Sequence, residues 1–180
     1  MGTRASLLKI ALSAAAEAGR ADGFECALST PQISVIQQIN QLLQEQLGAV
    51  GIKLQLQPIA ASEWYPRVVS GAINLTPGRW TQRADPDGLL YILFHSKGFA
   101  NTTKYRSERV DALLDQARTR YDVVARKKLY AQAQQQIADD LAVVPLIFGA
   151  EYAAMRAAVN GFEWIPDEIP RFRGLWKVTT

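Results

Sequence analysis

Two carboxylates, Asp85 and Asp87, flank Pro86 in the stretch Trp80-Thr81-Gln82-Arg83-Ala84-Asp85-Pro86-Asp87-Gly88. Carboxylates held this close can split their pKa values into an acid and a base, and His95 would complete a proton-transfer set. The same stretch carries a second chemistry. Arg83 offers a planar fork suited to a carboxylate, and Trp80 offers an apolar stacking face. Pro86 fixes its own φ and removes a donor, and Gly88 permits a positive φ, so a shaped loop is expected here. Loops that carry aromatic and charged groups on a scaffold are where ligands are usually met. Each residue also has a plainer role open to it. Trp80 would close a strand as a core aromatic, Arg83 would pair with Asp85 or Asp87, and Asp85 would cap a helix beginning near Asp87.

The surroundings weigh against catalysis. Asp-Pro-Asp is common turn chemistry, and the sequence contains no nucleophile elbow, P-loop or metal-ligand set. His95, the one histidine, lacks an evident partner and is expected as a partly buried, hydrogen-bonded ring. With a single cysteine, Cys26, beside it, neither a His/Cys metal site nor an internal disulfide is available, and no cofactor is expected. Charge is too balanced for a nucleic-acid binder: 20 basic against 17 acidic residues leave +3. The longest basic run, Arg126-Lys127-Lys128, falls in a helical pattern and reads as a solvated face. A hydrophobic share of 48% and a charged share of 21% suit a globular domain with a real core. No apolar run reaches the roughly 20 residues a bilayer span needs. Arg4 and the run Leu7–Ala16 have some features of a signal peptide, but Lys9 interrupts it, and an internal helix ending at Gly19 is the reading adopted.

The elements that must position the loop follow from periodicity. A helix is expected over residues 5–18. Phe24, Cys26 and Leu28 then alternate with polar neighbours as a half-buried strand. Thr30 and Pro31 open a helix with an apolar stripe of Ile36, Ile39, Leu43 and Leu47, flanked by Val35 and Leu42. Ile52, Leu54 and Leu56 alternate as a second strand. Ser62 caps a short helix with Pro66 in its first turn, and Ile73 to Leu75 lead as a strand into the loop. Beyond it, Ser107 caps a helix buried along Val110, Leu113, Leu114 and Ala117, and Asp122 starts another buried along Leu129, Ala133 and Ile137. Val143–Phe148, around Pro145, suits an edge strand, and Tyr152–Ala158 a strand or turn returning past it. From Asn160 onward, Gly161, Pro166, Pro170 and Gly174 dictate an extended tail whose Phe162, Trp164, Phe172 and Trp176 are sticky.

Several pieces, in this order, resemble one known family. The loop Trp80–Gly88 is followed by Phe94-His95-Ser96, then Asn101 and Tyr105, then Val110-Asp111-Ala112-Leu113-Leu114. Arg126-Lys127-Lys128-Leu129-Tyr130-Ala131-Gln132-Ala133-Gln134 and Pro145-Leu146 complete the series. From about Ala15 to Trp176 this resembles the C-terminal half of the peptide/nickel-type (family 5) extracellular solute-binding proteins of ABC importers. The resemblance implies an α/β (mixed α+β) fold of the type II periplasmic-binding-protein kind, with a mixed sheet flanked by helices and an extended C-terminal tail. It implies one lobe over residues 5–159 and a tail, 160–180, that returns to an N-terminal lobe absent from this chain, hence a truncated or partial protein.

The function implied is capture of a peptide or similar small solute by closure of two lobes, without catalysis or cofactor. Partners are that ligand and ABC permease subunits, with no nucleic acid and a possible homo-oligomer formed through the tail aromatics. The compartment implied for the full-length protein is periplasmic or extracellular, soluble or lipid-anchored. Ligand contacts are expected from Trp80, Thr81, Gln82, Arg83, Asp85, Asn101 and Tyr105. Loop hydrogen bonding is the alternative for Asn101 and Tyr105. Peptide-binding relatives carry an Asp near the position of Arg83, facing the peptide amine, so Arg83 implies an anionic ligand group instead. Two other readings of the same residues are a sensing or interaction module built on the lobe and a hydrolase using Asp85, Asp87 and His95.

Overall fold

The computed structural model describes residues 4–81, 83–147, 149–150, 152–165 and 169–178, with the side chains of residues 4–10 left aside. The chain divides after Arg79 into two compact units.

The first unit is built around a parallel strand pair. Helix α1 (Arg4–Glu17) precedes β1 (Phe24–Pro31), α2 (Ser34–Gly48), β2 (Ile52–Ile59) and α3 (Ala61–Ser70). β1 and β2 run parallel from Phe24↔Ile52 to Pro31↔Ile59, and α2 is the crossover a parallel pair requires. The pairing begins where two glycines meet. A Cβ on Gly23, whose φ is 78°, would stand 2.0 Å from the Gly51 carbonyl oxygen, so only glycine fits there. The alternation expected along β1 gives way at its C-terminal half. Phe24 is exposed and Cys26 half-buried, whereas Leu28, Ser29, Thr30 and Pro31 are all buried, as in a parallel strand covered on both faces.

Three boundaries differ from expectation. Thr30 and Pro31 belong to β1, and α2 begins only at Ser34, because both residues pair with β2. Ala60, not Ser62, precedes α3, so Pro66 lies beyond the first turn and removes a donor from the helix interior. Residues 73–75 form no strand: Leu75 accepts one backbone bond from Ser29, 3.0 Å, without a continuing ladder. The α2 stripe is half-buried at Ile36, Ile39, Leu43 and Leu47, with Val35 and Leu42 left in solvent. At its centre sits fully buried Asn40, whose amide donates to Thr30 Oγ1 at 2.6 Å.

The second unit is mostly helical. Helices α4 (Asp87–Phe94), α5 (Glu108–Arg118) and α6 (Val123–Asp139) enclose a core of Leu90, Val110, Leu114, Ala117, Tyr130, Ala133 and Ile137. The expected caps hold. Val110 N–H donates to Ser107 Oγ and Ala125 N–H to Asp122 Oδ1, at 3.4 and 2.7 Å. The stripes predicted for α5 and α6 face this core, with Tyr130 added.

The apolar run 143–147 forms no strand, and Val144 and Ile147 are 64% and 58% exposed; Phe148 lies outside the described residues. Pro145 withholds a donor, and no described strand lies alongside to pair with the run. Described residues 152–158 are likewise irregular, and among the described residues of this unit strand pairing is confined to β3 (Val159–Asn160) with β4 (Trp176–Lys177), antiparallel. The mixture of helices and strands agrees with the expected class, but the described strands form two separate pairs, one parallel and one antiparallel, in place of one mixed sheet. The tail is extended, with Phe172 and Trp176 exposed; Pro166 lies outside the described residues. Among the described residues no helix is long and apolar enough to cross a membrane.

Candidate ligand-binding site

The loop ahead of α4 is shaped by its two carboxylates, each held by an arginine from a later helix. Asp85 Oδ1 accepts the Asp87 N–H at 2.8 Å, an Asx turn that delivers the chain into α4 with Pro86 as its N-cap. The other face of the same carboxylate meets Arg126 of α6. Nη1 donates to Oδ2 at 2.7 Å and Nη2 to Oδ1 at 2.8 Å, a two-pronged pair. Arg126 is itself oriented. Its Nε donates to the Ala117 carbonyl at 3.2 Å, and Nη2 also donates to the Tyr130 hydroxyl at 3.0 Å.

These bonds explain the local electrostatics. The Arg126 hydrogen bonds, then the Asp87 N–H, lower the Asp85 pKa below its ordinary 3.8, and Asp85 in turn raises that of Arg126. Burial, then the nearby Asp87 charge, raises the Tyr130 phenol. Arg126 is therefore not part of the solvated basic face expected of Arg126-Lys127-Lys128; only the two lysines are exposed.

Asp87 is held by Arg118 of α5, whose Nε lies 3.3 Å from Oδ1. Arg118 also covers the Tyr91 ring at 3.9 Å, and Tyr91 stacks on His95 at 4.2 Å. His95 is 2% exposed, accepts the Lys97 N–H on Nδ1 at 3.0 Å, and faces Asp115 from Nε2 at 3.5 Å and Asp111 from Nδ1 at 3.9 Å. The three groups of the hydrolase reading are thus engaged separately: Asp85 by Arg126, Asp87 by Arg118 and His95 by α5 carboxylates.

Of the seven candidate residues, Trp80, Thr81, Arg83 and Asp85 are exposed in the loop, Asp85 while paired with Arg126. Trp80 is 41% exposed and lies outside the buried cluster, so it is not the core aromatic that the sequence left as an alternative. Thr81 and Arg83 are exposed, and Gln82 lies outside the described residues. Arg83 makes neither of the ion pairs open to it in sequence, because Asp85 and Asp87 are taken by Arg126 and Arg118.

Gly88 departs from expectation as well. It lies in the first turn of α4 and is not among the glycines with positive φ, so the backbone does not require it. What it accommodates is a side chain: a Cβ there would lie 3.3 Å from both Cβ and Cγ of Arg83.

Asn101 and Tyr105 lie after α4 and organise the turn into α5. Asn101 Nδ2 donates to the carbonyls of His95 and Tyr105, at 3.2 and 2.8 Å, while Oδ1 accepts from Tyr105 N–H and Thr103 Oγ1, both at 3.1 Å. The Tyr105 hydroxyl donates to Asp140, and burial followed by that partner raises its pKa above the ordinary 10.0. Both polar side chains are engaged internally, the alternative the sequence held open. Ser96 is fastened to α5 through Asp111, which accepts its N–H at 2.8 Å and its hydroxyl.

Arg118 was not singled out from sequence, and Arg126 and Asp111 stood there only within longer runs, without a role at this site. The signal for one of them was present: Arg126 and Tyr130 stand one turn apart in a single helix, a spacing that lets them act together. Among the described residues no cluster of His, Cys, Asp and Glu could hold a metal ion. A cavity of about 470 Å³ opens elsewhere in the second unit, lined by Tyr152, Met155, Phe162, Trp164, Phe172 and Leu175, and none of the six described candidates lines it.

The fold is that of solved periplasmic binding proteins. The peptide-bound DppA of Helicobacter pylori superposes on 94% of this chain with a TM-score of 0.81 at 24% identity. OppA of Haemophilus influenzae, in complex with the peptide RPPGFSPFR, covers 99% with a TM-score of 0.84 at 17% identity. The class is thus a type II periplasmic-binding-protein lobe. In sequence, the glutathione-binding protein GsiB of Escherichia coli K12 is 30% identical over 162 residues, 84% of this chain and 32% of its own length. The probable D,D-dipeptide-binding periplasmic protein DdpA of the same organism is 33% identical over 127 residues, 68% of this chain and 25% of its own. No family model matches the chain. In sequence the chain is thus similar to the family 5 solute-binding proteins, and it spans about a third, or less, of the length of these relatives.

Proposed function

We propose that the chain is the ligand-capturing C-terminal lobe of an ABC-importer binding protein, taking a peptide or similar small solute by closure against a second lobe. The lobe spans residues 5–159, and the tail 160–180 crosses to that second lobe. It binds without catalysis and works in the periplasm with the permease subunits of its importer. Soluble and lipid-anchored forms of the full-length protein both fit this role.

The observation that carries this reading is the division of labour in the Trp80–Gly88 loop. Asp85 and Asp87 are spent on Arg126 and Arg118, which stiffens the loop, while Trp80, Thr81 and Arg83 remain open to solvent. A stiff loop that presents an aromatic face and an exposed guanidinium, with its two carboxylates committed to ion pairs, is a binding edge. The relatives support transport of a small peptide-like solute, since one is named for glutathione and another for D,D-dipeptides. Trp80, Thr81, Gln82 and Arg83 contact the ligand directly, and Asp85 acts at the same edge through the geometry it imposes. Asn101 and Tyr105 border the edge as loop organisers. The exposed aromatics Phe172 and Trp176 also give two copies a surface on which to associate.

Titrating the isotopically labelled chain with glutathione, to tens of millimolar, tests the site. The Trp80 indole and the backbone amides of residues 81–88 are expected to shift together. Shifts confined to other parts of the chain, or none, would overturn the placement.

A further inference from the structure

We propose that Gly88 is a positioning residue for Arg83, and that the guanidinium it seats selects solutes carrying a carboxylate. This rests on the loop being the ligand edge and names what that edge prefers.

Glycine is the poorest helix former after proline, yet Gly88 occupies the first turn of α4 without a positive φ to justify it. Beyond its own helix backbone and chain neighbours, the three atoms nearest to where its Cβ would stand all belong to the Arg83 stem, Cβ and Cγ at 3.3 Å and Cδ at 3.9 Å. The stem therefore lies flat across the helix start, which restricts where the guanidinium can reach. The two carboxylates nearest in sequence are withdrawn from it by Arg126 and Arg118. Asp85 is gripped through both oxygens, so it has little left to offer a third cation. A cation held by its stem and denied its neighbouring anions keeps its full donor fork for an incoming one. A carboxylate fits that fork with two parallel hydrogen bonds, and half-exposed Trp80 supplies an apolar wall three residues away.

The test compares glutathione with its dimethyl ester by chemical-shift titration of the whole chain. The acid is expected to bind about tenfold more tightly than the ester, the loss that follows when a charged hydrogen-bonding partner is neutralised. Gly88→Ala is expected to lift the Arg83 stem and shrink this ratio while Tm holds or rises, since alanine favours the helix. A purely structural glycine would instead lose Tm and keep the ratio. In an Arg83→Gln background the ratio falls towards one, and adding Gly88→Ala changes it no further. Equal binding of acid and ester to the wild-type chain overturns the carboxylate preference while leaving the ligand edge in place. An unchanged ratio in Gly88→Ala overturns the seat. Absence of any shift at residues 80–88 removes the edge itself, and this inference with it.

Discussion

Arg126 grips Asp85 through both terminal nitrogens across 41 residues of sequence, at 2.7 and 2.8 Å. This pair ties the entrance of α4 to α6 and turns Asp85 from a candidate ligand group into part of the frame. The Asp85 pKa is lowered by that grip, so the folded protein binds this proton less readily than the unfolded chain. Its stabilising effect is therefore present above the ordinary value of 3.8 and is lost as pH falls through the lower folded value. Asp85→Asn is expected to be less stable than the wild type at pH 7, with the two unfolding curves converging as the solution is acidified below pH 3.8. Denaturant melts from pH 7 downwards check this. A gap that stays constant through the acid range would show that the pair contributes no pH-linked stability.

Asn101 is expected to behave as a structural residue. It satisfies two carbonyls and accepts two donors in the turn between α4 and α5. Asn101→Ala leaves those groups to water or to nothing and should cost about 1–3 kcal/mol. Hydrogen exchange at the Tyr105 amide is the local readout. Protection as strong as in the wild type would mean the turn holds its shape by other means.

Leu114 is fully buried at the centre of the α4–α5–α6 cluster. Leu114→Ala should cost about 2–5 kcal/mol, through lost transfer free energy and the cavity left behind. Chemical denaturation measures it, and a loss well below that range would mean the surrounding helices collapse onto the gap.

One lobe of a two-lobed binder offers half of a cleft, so the chain alone should hold peptide only weakly. Calorimetry of the chain with a short peptide or glutathione should give no saturable heat at micromolar concentrations. A micromolar Kd would contradict the requirement for a second lobe.

Phe172 and Trp176 are 71% and 58% exposed on the tail. Sedimentation velocity is expected to show association that grows with concentration and falls in a Phe172→Ser, Trp176→Ser variant. A single monomer peak at every concentration would remove the tail as an association surface.

Local interactions were readable from the sequence because each involves residues a turn apart. The Ser107 and Asp122 caps, the stripes of α5 and α6, the β1 and β2 runs and the start of α4 at Asp87 all follow from spacings of two, three or four. The likeness to family 5 solute-binding proteins rests instead on the order of the motif pieces along the chain. Only the tertiary structure could show which arginine meets which carboxylate, since Asp85 had Arg83 two residues away and found Arg126 in another helix. The same holds for Gly88, which a turn rule assigns to backbone freedom and which in fact makes room for a side chain. Residues 73–75 and 143–147 have strand-like composition, yet a strand exists only where a partner ladder is in reach, and composition carries no record of what lies alongside. The Trp80–Gly88 chemistry was thus legible as a set of residue types, while the choice between frame and binding edge was made by contacts across the helices.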